Sequence, residues 1–250
     1  MTEISIRAEE ILRLGSFPVT NALLLSLLSF AVLAGFALLL NRRLALVPGR
    51  FQNTFEYALE GLLGLATSIL QSREKAERYL PLFGTIFLFI LISNWLGLLP
   101  GVGSFGLTHE LGGEEVFVPL LRAPAADLNF TLALAVVAVL SINILGIVAI
   151  GFAKHFSKFF TVRSPIDFVV GILEFISELA KMISFSFRLF GNVFAGEVLL
   201  TIIAFLVPYV IPLPFLLLEV FVGFIQAFVF MMLTLVFISI ATADELKVAH

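Results

Sequence analysis

Long apolar runs alternate with short polar breaks along this chain, and the run lengths set its class. The first run, 17–41, reads FPVTNALLLSLLSFAVLAGFALLLN and closes on Asn41, Arg42 and Arg43. A helix crossing the hydrocarbon layer of about 30 Å needs about 20 apolar residues, so this run predicts a span. Residues 51–71 are less apolar and carry Glu56 and Glu60 at i,i+4, which predicts an interfacial amphipathic helix. QSREKAERYLP reads as a hydrated charged turn, and 79–99 predicts a second span with Trp95 anchoring its polar end. The glycine- and glutamate-rich stretch Gly101 to Ala126 reads as a loop. Residues 127–153 predict a third span, followed by the basic turn AKHFSKFFTVRSP. The next run, 165–207, would measure about 65 Å as one helix, about twice the layer's thickness. It is expected to tilt strongly, to break, or to lie partly along the membrane plane. PYVIPLP then turns the chain, and 212–242 predicts the last span.

The expected fold is therefore all-α: one polytopic membrane domain over 1–250, with five spanning or strongly tilted helices and one interfacial helix. Composition strengthens that reading. The chain is 60% hydrophobic and 13% charged, with a mean hydropathy of +1.10, a balance that leaves too little polar surface for a soluble domain. A net charge of −3 with no basic patch argues against a nucleic-acid partner. Cysteine is absent, which removes disulfides, thiolate metal sites and a cysteine nucleophile. No pair of histidines has metal-ligand spacing, so no metal and no cofactor is expected, and His109 and His155 read as solvated loop residues. The N-terminus carries Glu3, Glu9 and Glu10 without a cleavage pattern and does not read as a signal peptide. Arg42, Arg43, Arg50, Arg73, Lys75, Arg78, Lys154, Lys158 and Arg163 all fall on one side if the N-terminus is outside. The loop with the single Arg122 then faces outward, and the C-terminus is cytoplasmic.

The charges inside the runs carry the functional signal. Arg188 stands mid-run, where a cation costs about 2.5–3.5 kcal/mol on insertion scales and cannot escape by deprotonating. Arg188 and Asn192, four apart, share a helix face. Arg188 and Glu197, nine apart, lie about 180° around the helix and about 13 Å along it, so they serve different places. Glu219 and Gln226, seven apart, share a face of the last span. Antiparallel packing of the two helices would set Gln226 near Arg188 and Glu219 near Glu197, giving a cationic layer and an acidic layer. Glu174, Glu178 and Lys181 read two ways, as an intrahelical ion-pair set or as groups on an ion access route. Asn94 and Asn143 read as interhelical hydrogen-bond links.

RLFGNVFAGE (Arg188 to Glu197) resembles the core motif of subunit a of the F-type ATP synthase membrane sector. ADLNFTLALA (Ala126 to Ala135), NWLGLLPG (Asn94 to Gly101) and IQAFVFMMLTLVFIS (Ile225 to Ser239) follow the same family's order. The resemblance implies that Arg188 is the essential stator cation facing the rotating c-ring. It implies that Asn192, Glu197, Glu219 and Gln226 line proton paths around that cation. Glu174 would lie toward the cytoplasmic access route, and Asp127 and Asn129 near the outer one. It also implies b-type peripheral stalk subunits as partners, an energy-coupling membrane such as the bacterial plasma membrane, and protons or Na⁺ as the ion. In the family the position of Glu219 often carries histidine. Here both acidic-layer positions are glutamate, so a histidine–glutamate pairing does not carry over. The function expected is ion translocation through two aqueous half-channels, non-catalytic in itself, with no nucleotide bound because no Gly-rich Lys-Ser/Thr loop is present. A stand-alone secondary ion transporter is the alternative, and the absence of a visible internal repeat weighs against it. A structural membrane anchor would leave Arg188 replaceable.

Overall fold

The structure is a computed structural model that describes residues 8–45, 47–99, 101–103, 105–111, 114–157, 165–207 and 210–243. It is an all-α polytopic membrane protein with, among the described residues, five helices long and apolar enough to cross a bilayer. Helix α1 (Asn21–Arg43) starts later than the apolar run suggests, because Phe17–Thr20 is extended. Thr20 is the cap, its Oγ1 accepting from Leu23 N at 3.3 Å, and satisfies an amide that the helix itself leaves open. The four residues before α1 form strand β2 (Phe17–Thr20), which pairs antiparallel with β1 (Glu10–Leu14).

Helix α2 (Arg50–Leu70) buries a stripe of Leu63, Ala66 and Leu70 and leaves Phe51, Tyr57 and Leu65 exposed, the amphipathic pattern read from the sequence. Gln71, with φ 53°, ends it. The charged stretch after it is a turn only at Gln71 and Ser72. Arg73 to Tyr79 already belong to α3 (Arg73–Gly97), whose N-cap is the Ser72 hydroxyl accepting from Lys75 N. Glu, Lys, Arg and Ala are strong helix formers, and charge alone does not break a helix that extends past the apolar layer. Arg73 forks onto Glu60 of α2, Nη1–Oε1 2.6 Å and Nη2–Oε2 2.8 Å, and its Nε reaches Glu77 Oε1 at 2.7 Å. This hydrogen bonding holds the Glu60 carboxyl below its ordinary range.

The loop expected over Gly101–Ala126 contains structure. Strands β3 (Gly106–Leu111) and β4 (Glu114–Pro119) form an antiparallel hairpin, and a 3-10 turn at Pro124–Ala126 leads into α4 (Leu128–Ile150). Gly151, at φ 88°, separates α4 from the short helix α5 (Phe152–Ser157). The remainder of the basic turn, 158–164, lies outside the described residues, as does the C-terminal DELKVAH from 244 onward. Helix α6 (Pro165–Leu206) runs unbroken for 42 residues, which removes a break from the ways its length could be accommodated. Pro212 opens α7 (Pro212–Thr242) at a first-turn position where its missing N–H costs nothing.

Lipid tails are as apolar as leucine, so helices associate in a membrane through close packing and hydrogen bonds. Ala66, Ala76, Ala135, Ala138 and Ala227 are fully buried and let α2, α3, α4 and α7 approach closely around Phe83, Phe230, Met231 and Leu235. Asn94 Nδ2 donates to Gly223 O at 3.2 Å and Trp95 Nε1 to Val220 O at 3.1 Å, tying α3 to α7. Trp95 thus serves as an interhelical link. Thr131 and Ser186 hydroxyls meet at 3.1 Å between α4 and α6.

Candidate functional site

Helices α6 and α7 pack together and present their polar residues in two layers. In the first, Asn192 Nδ2 donates to Gln226 Oε1 at 2.6 Å. Gln226 is buried at 3% exposure, and its Nε2 has no partner among the described residues. Arg188 sits one turn before Asn192 and is exposed. No hydrogen bond or ion pair reaches its guanidinium among the described residues. It borders an open groove of about 250 Å³ lined by Ser177, Ala180, Lys181, Ser184, Phe185, Leu233 and Phe237. Elsewhere along its length α6 exposes Phe175, Ile176, Leu179, Ile183, Phe187, Leu199 and Ile202. Arg188 therefore stands near the middle of α6, on the helix face it shares with Ser177, Lys181, Ser184 and Asn192.

The second layer is acidic. Glu219 is 9% exposed, and its carboxylate lies directly over Gly196. A Cβ at 196 would fall 2.1 Å from Glu219 Oε2 and 2.2 Å from its Cδ, so only glycine leaves room for the carboxylate beside this turn of α6. Glu197, the next residue, points to another neighbour. Arg122 Nε reaches Glu197 Oε1 at 3.0 Å and Oε2 at 3.3 Å, and Arg122 Nη2 reaches Oε2 at 3.2 Å. Arg122 is 7% exposed, whereas Glu197 keeps 35% of its side chain open. Glu197 and Arg188 thus face different surroundings, as their nine-residue spacing requires.

Arg122 as the partner of Glu197 is the residue that sequence reasoning missed. The signal was present: Arg122 is the one cation in a stretch that also holds Glu110, Glu114 and Glu115. Asp127 is buried and caps α4, its Oδ1 accepting from Asn129 N at 3.1 Å and Asn129 Nδ2 at 3.3 Å. Both lie at the hairpin end of the bundle, beside the turn that follows Arg122.

The opposite end holds a second polar chain. Glu178 Oε1 accepts from Lys181 Nζ at 2.5 Å, and Glu178 Oε2 accepts from Asn143 Nδ2 at 3.2 Å. Lys181 Nζ also lies 4.8 Å from the centre of the Phe237 ring. Glu178 and Lys181 are the ion pair of one of the two readings, while Glu174, half-buried one turn earlier, stands apart from it. Asn143 Nδ2 spends its hydrogens on Glu178 and on Val139 O, at 2.9 Å, so its Oδ1 accepts from His155 Nε2 at 3.0 Å. His155 is 5% exposed, which corrects its reading as a solvated loop residue. Glycine at 146 makes that burial possible, since a Cβ there would meet the His155 ring at 3.0 Å.

The sequence profile of the family described as "ATP synthase A chain" matches residues 23–239, nearly every helix above. The chain belongs to that family. An ATP synthase subunit a of Campylobacter jejuni is 36% identical over 212 residues, covering 84% of each chain. That of Moorella thermoacetica is 33% identical over 234 residues, 94% of this chain and 96% of the relative. An ATP synthase subunit a 3 of Pelobacter propionicus is 37% identical over 225 residues, 89% and 86% of the two chains. The match in the ATP synthase A chain family takes in α6 and both polar layers, so the Arg188 groove and the Glu219–Gly196 contact lie within the shared region.

Proposed function

We propose that this chain is the proton-translocating stator subunit of a rotary F-type ATP synthase. The observation that carries this reading is the exposed Arg188 guanidinium in the middle of α6, which no hydrogen bond or ion pair reaches among the described residues. A cation costs free energy there unless something polar comes to it, and a ring of small hairpin subunits carrying mid-membrane carboxylates supplies that partner. The c-ring would pack along α6, and b-type stalk subunits would hold the chain against rotation.

In this mechanism two aqueous half-channels end on either side of Arg188. Protons enter past Glu197 and Glu219, with Asp127 and Asn129 near the mouth, and load a ring carboxylate. After a near-complete turn they leave through the groove near Lys181 and Ser184, with Glu174 toward the inner end. Arg188 favours the ionised ring carboxylate, which makes an arriving site release its proton, and it repels a proton attempting the direct crossing. Asn192 and Gln226 extend the polar surface beside it. Each charge carried across is worth about 2.3 kcal/mol per 100 mV. The chain itself performs no bond chemistry. The decisive experiment is ATP-driven proton pumping by the liposome-reconstituted complex carrying Glu197→Gln and Glu219→Gln together. Assembly is expected to persist and pumping to fall sharply, whereas pumping at the normal rate removes the acidic layer from the path.

The inside-positive rule puts the α2–α3 junction in the cytoplasm and both hairpins outside. Because the chain lacks cysteine, single cysteines report cleanly. Glu74→Cys and Phe105→Cys, both at exposed positions, are expected to react with an impermeant thiol reagent from opposite sides, Glu74→Cys from the cytoplasm. Labelling of both from one side overturns this topology.

A further inference from the structure

A third carboxylate approaches the Arg122–Glu197 pair from an unexpected part of the chain. The N-terminal hairpin folds back so that Glu9 meets Asn21, the first residue of α1, through three bonds. Asn21 N donates to Glu9 O at 3.1 Å, Glu9 N donates to Asn21 Oδ1 at 3.2 Å, and Asn21 Nδ2 donates to Glu9 Oε2 at 3.2 Å. Asn21 is fully buried, and its Nδ2 also reaches Pro119 O at 3.3 Å, at the end of β4 and three residues before Arg122. Ala8 and Val118 are buried beside these contacts, so the hairpins are joined and not merely near each other. Glu9 itself is half-buried and so open to water on one side. The charges of Arg122 and Glu197 both act on its carboxyl.

We propose that Glu9 is a proton-collecting carboxylate at the outer mouth, held by Asn21 beside the Arg122–Glu197 pair. This rests on the reading of Glu197 as part of the entry path. The Glu9 carboxylate takes a proton from outer water to become the carboxylic acid. It then gives that proton to the Glu197 carboxylate and returns to its charged form. The charge of Arg122 lowers the cost of a second ionised carboxylate here, while the neighbouring Glu197 carboxylate raises it, so one proton is shared more readily than in open water. The surroundings act in the same direction. Burial pushes the Glu9 carboxyl up, and Glu197 adds to that rise, while Arg122 and the Asn21 hydrogen bond pull the other way. Among the described residues these are the charged and hydrogen-bonding groups facing it, from the β4–α4 connection, α6 and α1. A carboxyl raised in this way stays partly protonated at higher pH than a free one, which suits a collector working from dilute protons.

The test uses the whole ATP synthase in liposomes, with the pH on the hairpin side varied at constant total driving force. Glu9→Gln keeps an oxygen for the Asn21 amide and removes only the titration. ATP synthesis by this variant is expected to reach the normal maximum at acidic outer pH. The pH giving half that maximum is expected to fall by about half a unit or more, because the raised carboxyl that collects the proton is then gone. Glu9→Asp is expected to restore most of the shift. An unchanged half-maximal pH overturns the proposal, whether the rate is normal or uniformly lowered, since a purely structural strut lowers the rate at every pH. Arg188→Gln runs in the same assay as a control. If that variant stays coupled, the translocation reading fails, and the role of Glu9 fails with it.

Discussion

Arg188→Gln is expected to assemble normally and to lose coupled ATP synthesis and ATP-driven pumping almost completely. Assembly should survive because, among the described residues, no ion-pair partner of Arg188 would be left orphaned, unlike a buried pair broken from one side. Function should not, because in the proposed mechanism the charge acts on the ring. At 4 Å and an effective dielectric near 20, two unit charges interact by about 4 kcal/mol. That equals nearly three pKa units on the ring carboxylate, or about a thousand-fold change in its ionised-to-protonated ratio. Without it, an arriving carboxylic acid keeps its proton past the junction and the ring slips. Passive downhill proton flux should persist or rise, since nothing then repels a proton between the half-channels. Lysine keeps a charge but can lose its proton when desolvated, so Arg188→Lys should rescue poorly. The measurement is proton flux and ATP synthesis in liposomes with and without an imposed potential. Normal synthesis by Arg188→Gln would mean that Arg188 is an anchor residue only.

Gly196→Ala should produce the second largest loss for its size, a single methyl group. The added Cβ would lie 2.1 Å from Glu219 Oε2 and 2.3 Å from Oε1, well inside contact distance. The clash is with the tip of a flexible side chain, so the fold should yield by swinging the carboxylate away and not by separating α6 from α7. A carboxylate displaced by about 1 Å or more from a proton path can lower its throughput by about 10- to 100-fold. Pumping should therefore fall toward the level of Glu219→Gln. The double variant should be little worse than either single one, because both remove the same group from the same place. Gly64→Ala, on the open side of α2 with nothing within 4 Å of the new atom, serves as the control and should pump normally. A Gly196→Ala enzyme at the normal rate, or additive losses in the double variant, would detach the Glu219–Gly196 contact from function.

The structure was legible from the sequence wherever a rule is local. The spans follow from run length, because lipid demands about 20 apolar residues whatever the neighbours are. Arg188 stood out because an unsatisfied cation in an apolar run is costly enough to require a reason. The opposite orientation of Arg188 and Glu197 followed from 3.6 residues per turn, and the shared face of Glu219 and Gln226 from a seven-residue step. Charged helix starts misled: Arg73 to Tyr79 read as a turn, although their propensities favour helix and their ends lie in water. The hairpins were hidden because strand pairing depends on partners, and in the Gly101–Ala126 stretch glycine and glutamate mask the alternation.

What only the tertiary structure decided is which groups meet. Arg122 and Glu197 are 75 residues apart, Asn192 and Gln226 are 34 apart, and Asn94 and Gly223 are 129 apart. The burial of His155 over Gly146 and the return of Glu9 to Asn21 belong to the same class. The sequence determined that a cation and two acids stand in a membrane, at fixed heights and angles on their own helices, because helix geometry and the cost of charge in lipid act residue by residue. It left open the partner of each charge, because that depends on how separate elements dock. Docking turns on side-chain contacts as small as the missing Cβ of Gly196, which no period or composition encodes.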